Sequence, residues 1–308
     1  MRISVALVHQ VCFFVLLGLV ASCTAPRAVI NSGKVTAPGK FKAGVNFGGN
    51  IATEPIGQLD DVAKSAVNAI AKKDSVYFDE VETATRALLA YALDPVGPTF
   101  DFYLRYGVAP RVDVGYKYAS GVHVFDAQYQ FLGPTGTPEN PGVGAAAGAW
   151  YGSVGLQYAG QSSDWIDNLF LDKLQPVLQF TAKRRDYTIP IIFSKSFGVE
   201  EQNGSIAFGA VYNHTNIEYG FDPGRLFKKQ GKAIEEVNPL KEKNSFGSYG
   251  FFVNAKLGFK YIYILPALTI YYQDYGDYKL LNNTSYSYSG LTFIPSIGVQ
   301  ASFGKGRR

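Results

Sequence analysis

From Thr99 onward, apolar side chains recur at every second residue in run after run, a period that extended strands with one apolar face satisfy and helices do not. In TFDFYLRYGV, Phe100, Phe102, Leu104, Tyr106 and Val108 share one face, and Asp101, Tyr103, Arg105 and Gly107 share the other. In RVDVGYKY, Val112, Val114, Tyr116 and Tyr118 oppose Arg111, Asp113, Gly115 and Lys117. The pattern returns in FFVNAKLGFKY, with Asn254, Lys256 and Lys260 on the polar side. In the last run Leu291, Phe293, Ile297, Val299, Ala301 and Phe303 oppose Thr292, Ser296, Gln300 and Ser302. Each run lasts about 8–13 residues, the length a tilted strand needs to cross a bilayer.

Six further runs (121–132, 142–159, 174–183, 187–198, 204–218 and 262–274) bring the expectation to about ten antiparallel strands. An even number suits an up-and-down barrel whose two ends return to one side. Residues 41–49 read as a short strand that either joins or does not, so the expected range is 8–12 strands. Pro190, Pro266 and Pro295 fall inside runs. A closed barrel has no free edge for a missing N–H, so bulges or strand ends are expected there. Matching faces across the first hairpin predicts a three-residue loop, Val108-Ala109-Pro110. Arg105 would then oppose Asp113 and Asp101 oppose Lys117, each pair worth a few tenths to about 1 kcal/mol. The longer loops 133–141, 219–245 and 275–287 are expected on the outer side, and 160–173 on the inner.

The first thirty residues decide where such a chain goes. Arg2 precedes an apolar run from Val5 to Val20, too short for a comfortable spanning helix and read here as a secretory signal. Val20-Ala21-Ser22-Cys23 resembles the lipobox of bacterial lipoproteins, with Val where Leu is commonest. The resemblance implies removal of residues 1–22, acylation of Cys23, and a lipidated tether over 23–40. Thr24 in second place, by the same resemblance, favours the outer membrane. An ordinary secretory signal with a chance cysteine, or a single-pass anchor, is the alternative. Cys12 leaves with the signal, so no disulfide and no cysteine metal site is expected.

Between tether and barrel, residues 41–97 hold the short strand and two helices. Leu59, Val62, Ala63, Ala66, Val67 and Ile70 repeat at helical spacing. Val81, Ala84, Leu88 and Tyr91 share one face of a second helix that starts at a capping-box-like Asp79–Glu82 and ends at Asp94-Pro95. This insert is expected in the periplasm or folded into the lumen. The Gly/Ala-dense GVGAAAGAWYGSVG (142–155) would leave room for a helix to lie against a strand there.

An antiparallel sheet with one buried face alternates in the same way. Three features point to lipid: the apolar faces carry no charge, aromatics cluster near run ends (Tyr116/Tyr118, Tyr271/Tyr272), and the chain is exported. Aromatics make up 15% of the chain, with 22 Phe, 21 Tyr and 33 Gly, as the girdles and tight turns of membrane barrels require. Over residues 98–303 the chain resembles Gram-negative outer-membrane β-barrels in architecture. That family commonly ends on an aromatic, whereas here Phe303 is followed by the basic tail 304–308. A soluble periplasmic β domain tethered by its lipid is the alternative.

Little in the sequence points to catalysis. The formal net charge of +4 implies no nucleic-acid partner, and Lys183-Arg184-Arg185 is the densest basic cluster before the tail. His123 and His214 cannot build a three-ligand zinc site without carboxylates, and no HExxH spacing occurs. Neither a cofactor nor a metal is expected. His214 with Asn216 on the same strand face would be the centre of a lipid hydrolase, but no serine partner is identifiable. With apolar faces on lipid, Asp101, Arg105, Arg111, Asp113, Lys117, Lys195, Lys256 and Lys260 would face the lumen. They would form either a narrow passive channel for small solutes that mildly favours anions or, as preferred at ten strands, a salt-bridged filling. The expected partners are membrane lipid and the acyl anchor, and the expected role is structural or interaction-based.

Overall fold

A computed structural model describes residues 27–53, 76–94, 96–119, 121–162, 178–223, 226–230, 233–236, 238–281 and 285–304. Ten antiparallel strands close into a barrel. They are β1 (Phe41–Ala52), β3 (Gly97–Ala109), β4 (Val112–Ala119), β5 (Val122–Leu132), β6 (Trp150–Ser162), β7 (Leu178–Ser196), β8 (Gly204–Pro223), β11 (Leu240–Phe259), β12 (Ile262–Lys279) and β13 (Ser285–Phe303). Each pairs with the next barrel strand along the chain, and β1 closes the ring against β13. The short β2 (Val76–Tyr77), β9 (Leu226–Gln230) and β10 (Ala233–Glu236) form a separate sheet, and helix α1 (Phe78–Leu93) follows β2. The first expected helix and Cys23 lie outside the described residues.

The strand total matches the expectation, but its membership differs in two places. Residues 41–52 join the barrel, and the runs 174–183 and 187–198 are one strand, β7. The charged stretch 183–186 suggests a turn, yet Arg184 and Asp186 point in while Lys183 and Arg185 point out, so alternation continues through it. Because β1 joins, the connections up to β7 exchange ends. The loop 133–149 lies at the base, the end holding Phe41 and Phe303, while β6 ends and β7 begins at the opposite rim. The Gly/Ala-rich residues 142–149 belong to that base loop, not to a strand, and among the described residues no helix lies against them. Gly144 and Gly148 have φ of 79° and 80°, a left-handed backbone that side chains disfavour.

The first hairpin also differs. Pro110 and Arg111 form a two-residue turn with Arg111 at φ 69°, and Val108 is bulged out between Gly107↔Asp113 and Ala109↔Val112. Arg105 therefore stands opposite Gly115, and Asp101 opposite Ala119. The bulge supplies the extra residue that keeps like faces together, which the expected three-residue loop would otherwise have done.

Each proline sits where one of its two ladders skips. The β6–β7 pairing jumps from Val154↔Ile191 to Gln157↔Thr188 around Pro190. The β11–β12 pairing jumps from Asn254↔Ala267 to Leu257↔Ile264 around Pro266, and β1–β13 from Gly48↔Ser296 to Ile51↔Phe293 around Pro295. A missing N–H at such a gap removes no ladder bond, so no sheet edge is needed.

The apolar faces look outward. Phe102, Val114, Val253 and Val299 are 44%, 41%, 45% and 48% exposed, while Arg105 and Lys256 on the opposite faces are 4% and 7% exposed. On β12 the outward residues are apolar or aromatic from Ile262 to Tyr272 and then become Asp274, Asp277 and Lys279. Ten residues of tilted strand give a belt about 25 Å tall, the height of a bilayer's hydrocarbon layer. Aromatic rows edge it on both sides. Toward the rim, Tyr272, Tyr249 and Tyr212 are paired across β12, β11 and β8, and Tyr187, Tyr158, Phe125 and Tyr116 across β7 to β4. Their ring centroids lie 5.1 Å apart for Tyr212–Tyr249 and 5.3 Å for Tyr158–Tyr187. At the base, Phe41 lies 4.6 Å from Tyr106 and 5.7 Å from Phe303. Tyr271, expected beside Tyr272 in a girdle, instead points into the lumen and is fully buried.

Two segments enter the ring. Helix α1 lies inside the rim end, where Leu88, Leu89, Ala92 and Leu93 pack with Phe180, Ile217, Phe221, Phe246, Tyr275 and Tyr278 of the inner wall. Residues 27–40, read from the sequence as part of a tether, run through the lumen before the chain turns into β1, and Arg27, Val29, Ile30 and Lys34 to Thr36 are all buried.

Candidate functional site: the barrel lumen

Strand alternation delivers polar side chains to the interior from every wall, and they converge on the threaded segment. Asn254 Nδ2 donates to Val29 O at 3.2 Å, and Gln128 Nε2 to Ser32 O at 2.9 Å. The segment's own amides donate outward, Gly33 N to Ser194 Oγ at 3.0 Å, Val35 N to Gln130 Oε1 at 3.2 Å and Thr36 N to Asp113 Oδ2 at 2.7 Å. Strands β4, β5, β7 and β11 thus hold a chain that has no regular partner strand of its own. An unpaired peptide group there would cost about 1–3 kcal/mol, so these bonds fix its path.

Charge is arranged in three layers. Under α1, Arg27 Nη2 meets Asp94 Oδ1 at 2.5 Å, and Asp94 also accepts from Asn50, Thr292 and Tyr275 at 2.6, 2.6 and 2.8 Å. Arg184 pairs with Asp186 at 2.9 Å and donates to Leu93 O at the end of α1. In the middle, Arg105 bridges Asp113 at 2.5 Å and also pairs with Asp126, while Asp101 accepts from Asn46 at 2.6 Å. At the base, Lys34 pairs with Glu200 at 2.5 Å and Lys256 with Glu201 at 3.2 Å. Both glutamates sit in the turn between β7 and β8 with left-handed φ of 54° and 59°, buried under the barrel. The amides of Gly136 and Gly142 donate to Glu200 at 2.9 and 2.8 Å, which brings the base loop over the opening.

From Arg27 to the base, the lumenal cations Arg27, Lys34, Lys42, Arg105, Lys117, Arg184 and Lys256 equal in number the acids Asp94, Asp101, Asp113, Asp126, Asp186, Glu200 and Glu201. Asp101, Arg105, Asp113, Lys117 and Lys256 are buried on the inner faces of their strands. Three others are not. Lys195 is exposed on the outer wall with Nζ 5.8 Å from the Trp150 ring, because Ser194 and Ser196 take the inward positions. Arg111 and Lys260 are turn residues at the base, in left-handed backbone with φ of 69° and 53°. The expected Arg105–Asp113 pair forms diagonally, not across the ladder.

Arg27, Lys34, Asp94, Glu200 and Glu201 were not legible as site residues. They lie in a segment, a helix end and a turn that carry no strand period. The adjacent acids of GVEEQNG between two strands were the one available signal.

His123 and His214 stand on the outer wall. His214 Nδ1 is 3.5 Å from Tyr212 Oη, and His123 Nδ1 is 2.8 Å from Tyr116 Oη. Asn216 is exposed on the same outer face, and neither histidine faces the lumen. Two small cavities lie beside the threaded segment among the described residues, one of about 60 Å³ at the base, lined by Lys34, Lys42 and Tyr263, and one of about 30 Å³ between Arg27–Asn31 and the β3–β7 wall.

No protein-family model and no curated protein matches the chain. Solved structures similar to it include the outer membrane protease OmpT from Escherichia coli (10% identity, 88% of this chain and 100% of that one, TM-score 0.40). OprG, an outer membrane protein from Pseudomonas aeruginosa, is 9% identical over 89% of this chain and 100% of that one, with a TM-score of 0.30. Ail, the attachment invasion locus protein of Yersinia pestis, is 9% identical over 85% of this chain and 99% of that one, with a TM-score of 0.28.

Proposed function

We propose that this chain is an outer-membrane β-barrel of a Gram-negative cell with a structural or interaction role, a permanently occupied lumen and no catalytic activity. The supporting observation is the lumen itself, in which residues 27–40 are hydrogen-bonded from four sides and, among the described residues from Arg27 to the base, cations and acids are equal in number. A passage for anionic solutes would need an unpaired cationic lining and a continuous bore. The two cavities beside the threaded segment among the described residues, about 60 and 30 Å³, have room for one or a few waters each.

Lipid anchoring through Cys23 is part of the same proposal. Arg27 lies at the level of Gln273, to which it donates, near the rim-side tyrosine row. Cys23→Ala is expected to abolish incorporation of labelled palmitate while leaving the barrel folded.

In planar bilayers the purified protein is expected to show no stepwise conductance. Removal of residues 27–35 is expected to produce it, with retention of a heat-modifiable gel band showing that the barrel still closes. Conductance steps from the unaltered protein would overturn the proposal.

A further inference from the structure

Above the tyrosine row, one sector of the outer wall turns basic. Beyond Tyr187 the outward residues of β7 are Arg185 and Lys183, and beyond Tyr249, Gly247 and Ser245 on β11 come Lys243 and Lys241. Strand β8 lies between, and its Glu218 stands beside Lys183 in one ladder and Lys243 in the other. Glu218 reaches Lys241 at 3.2 Å and Lys243 at 3.4 Å, yet both lysine side chains remain 73% and 77% exposed. The hydrogen bond from Lys241 holds the Glu218 carboxyl below its ordinary range. Lys183 and Arg185 make no ion pair with a described residue. Four cations thus surround Glu218 on strands that lie about 4.8 Å apart, with Asp222 further along β8 and Asp274 and Asp277 on the outer face of the next strand, β12.

Height makes this patch specific. It begins one outward residue above Tyr187, with His214 and Tyr212 alongside, so it sits at the level where a bilayer changes from hydrocarbon to headgroup. The apolar belt continues directly below it on the same strands, through Ile189, Ile191, Phe208, Phe251 and Val253. A ligand suited to both surfaces has acyl chains attached to a doubly charged phosphate. We propose that Lys183, Arg185, Lys241 and Lys243 bind the phosphomonoester headgroup of a lipid of the surrounding membrane, with its chains on the belt beneath. Arg185 offers a planar fork for two phosphate oxygens, and the lysines supply mobile point charges around it.

The inference rests on the membrane reading of the outer wall, and its test separates the two. Protein in neutral detergent is mixed with short-chain phosphatidic acid or with phosphatidylcholine of equal chain length, and bound lipid is read by native mass spectrometry. Phosphatidic acid is expected to be retained about tenfold more than phosphatidylcholine. The variant Lys183→Gln/Arg185→Gln/Lys241→Gln/Lys243→Gln is expected to bring retention to the phosphatidylcholine level, while Lys195→Gln leaves it unchanged. Inorganic phosphate at matched ionic strength is expected not to displace the lipid; displacement would reassign the site to free phosphate and overturn the lipid proposal. Equal retention of both lipids by the unaltered protein overturns the headgroup site and leaves the membrane reading standing. A protein that is monomeric without detergent and takes neither lipid overturns both.

Discussion

At the residue scale, Arg105 bears on two carboxylates at once, and Glu200 and Glu201 each neutralise a lysine where water is scarce. Breaking a buried pair by removing one partner leaves an uncompensated charge. Arg105→Met or Glu201→Gln is therefore expected to cost about 3–5 kcal/mol, read by urea unfolding in lipid vesicles. Lys195→Gln, on the outer wall, is expected to change stability by less than about 0.5 kcal/mol in the same assay. Glu139 in the base loop tests a weaker contact. The Lys40 ammonium, at 2.9 Å, and then the Tyr261 hydroxyl hold its carboxyl down to about 2. A depressed carboxyl contributes stability above its unfolded value of about 4.3 and loses it as pH falls toward 2. Lys40→Gln is expected to move the Glu139 midpoint upward in an NMR titration.

At the element scale, the lesson lies in the prolines and the first hairpin. Alternation located both, but it carries no information on which ladder a residue bonds to. Pro190, Pro266 and Pro295 each face a gap in one neighbour's ladder, and Val108 is bulged, so local irregularity keeps faces in phase without opening an edge. Pro295→Ala is expected to shift stability by less than about 1 kcal/mol, because no ladder bond is recovered. Val299→Pro, at a position paired to both Val45 and Ile264, is expected to cost about 3 kcal/mol or more.

At the scale of the whole molecule, the outer wall and the lumen obey opposite rules. A soluble β domain would hide Val253 and expose Lys256; this chain does the reverse. Val253→Arg, near the middle of the belt, is expected to destabilise the barrel by about 2–4 kcal/mol in vesicles, where each end of the belt is fixed by aromatic rows. In a detergent micelle, which deforms around a charge, the same substitution is expected to cost less.

The amino-acid order alone determined which face is apolar in the clearly alternating runs, such as 100–108, 112–118 and 251–261, and set an expectation of about ten antiparallel strands. Side-chain direction alternates over neighbouring residues, and a window of ten positions contains the whole signal. What fills the ring was settled only by the tertiary structure. Arg27 meets Asp94 and Gln273 across 67 and 246 residues of chain, and the segment between Arg27 and Lys40 has no period of its own. Its conformation is imposed by polar groups that converge only once the barrel has closed, and no local pattern encodes that convergence.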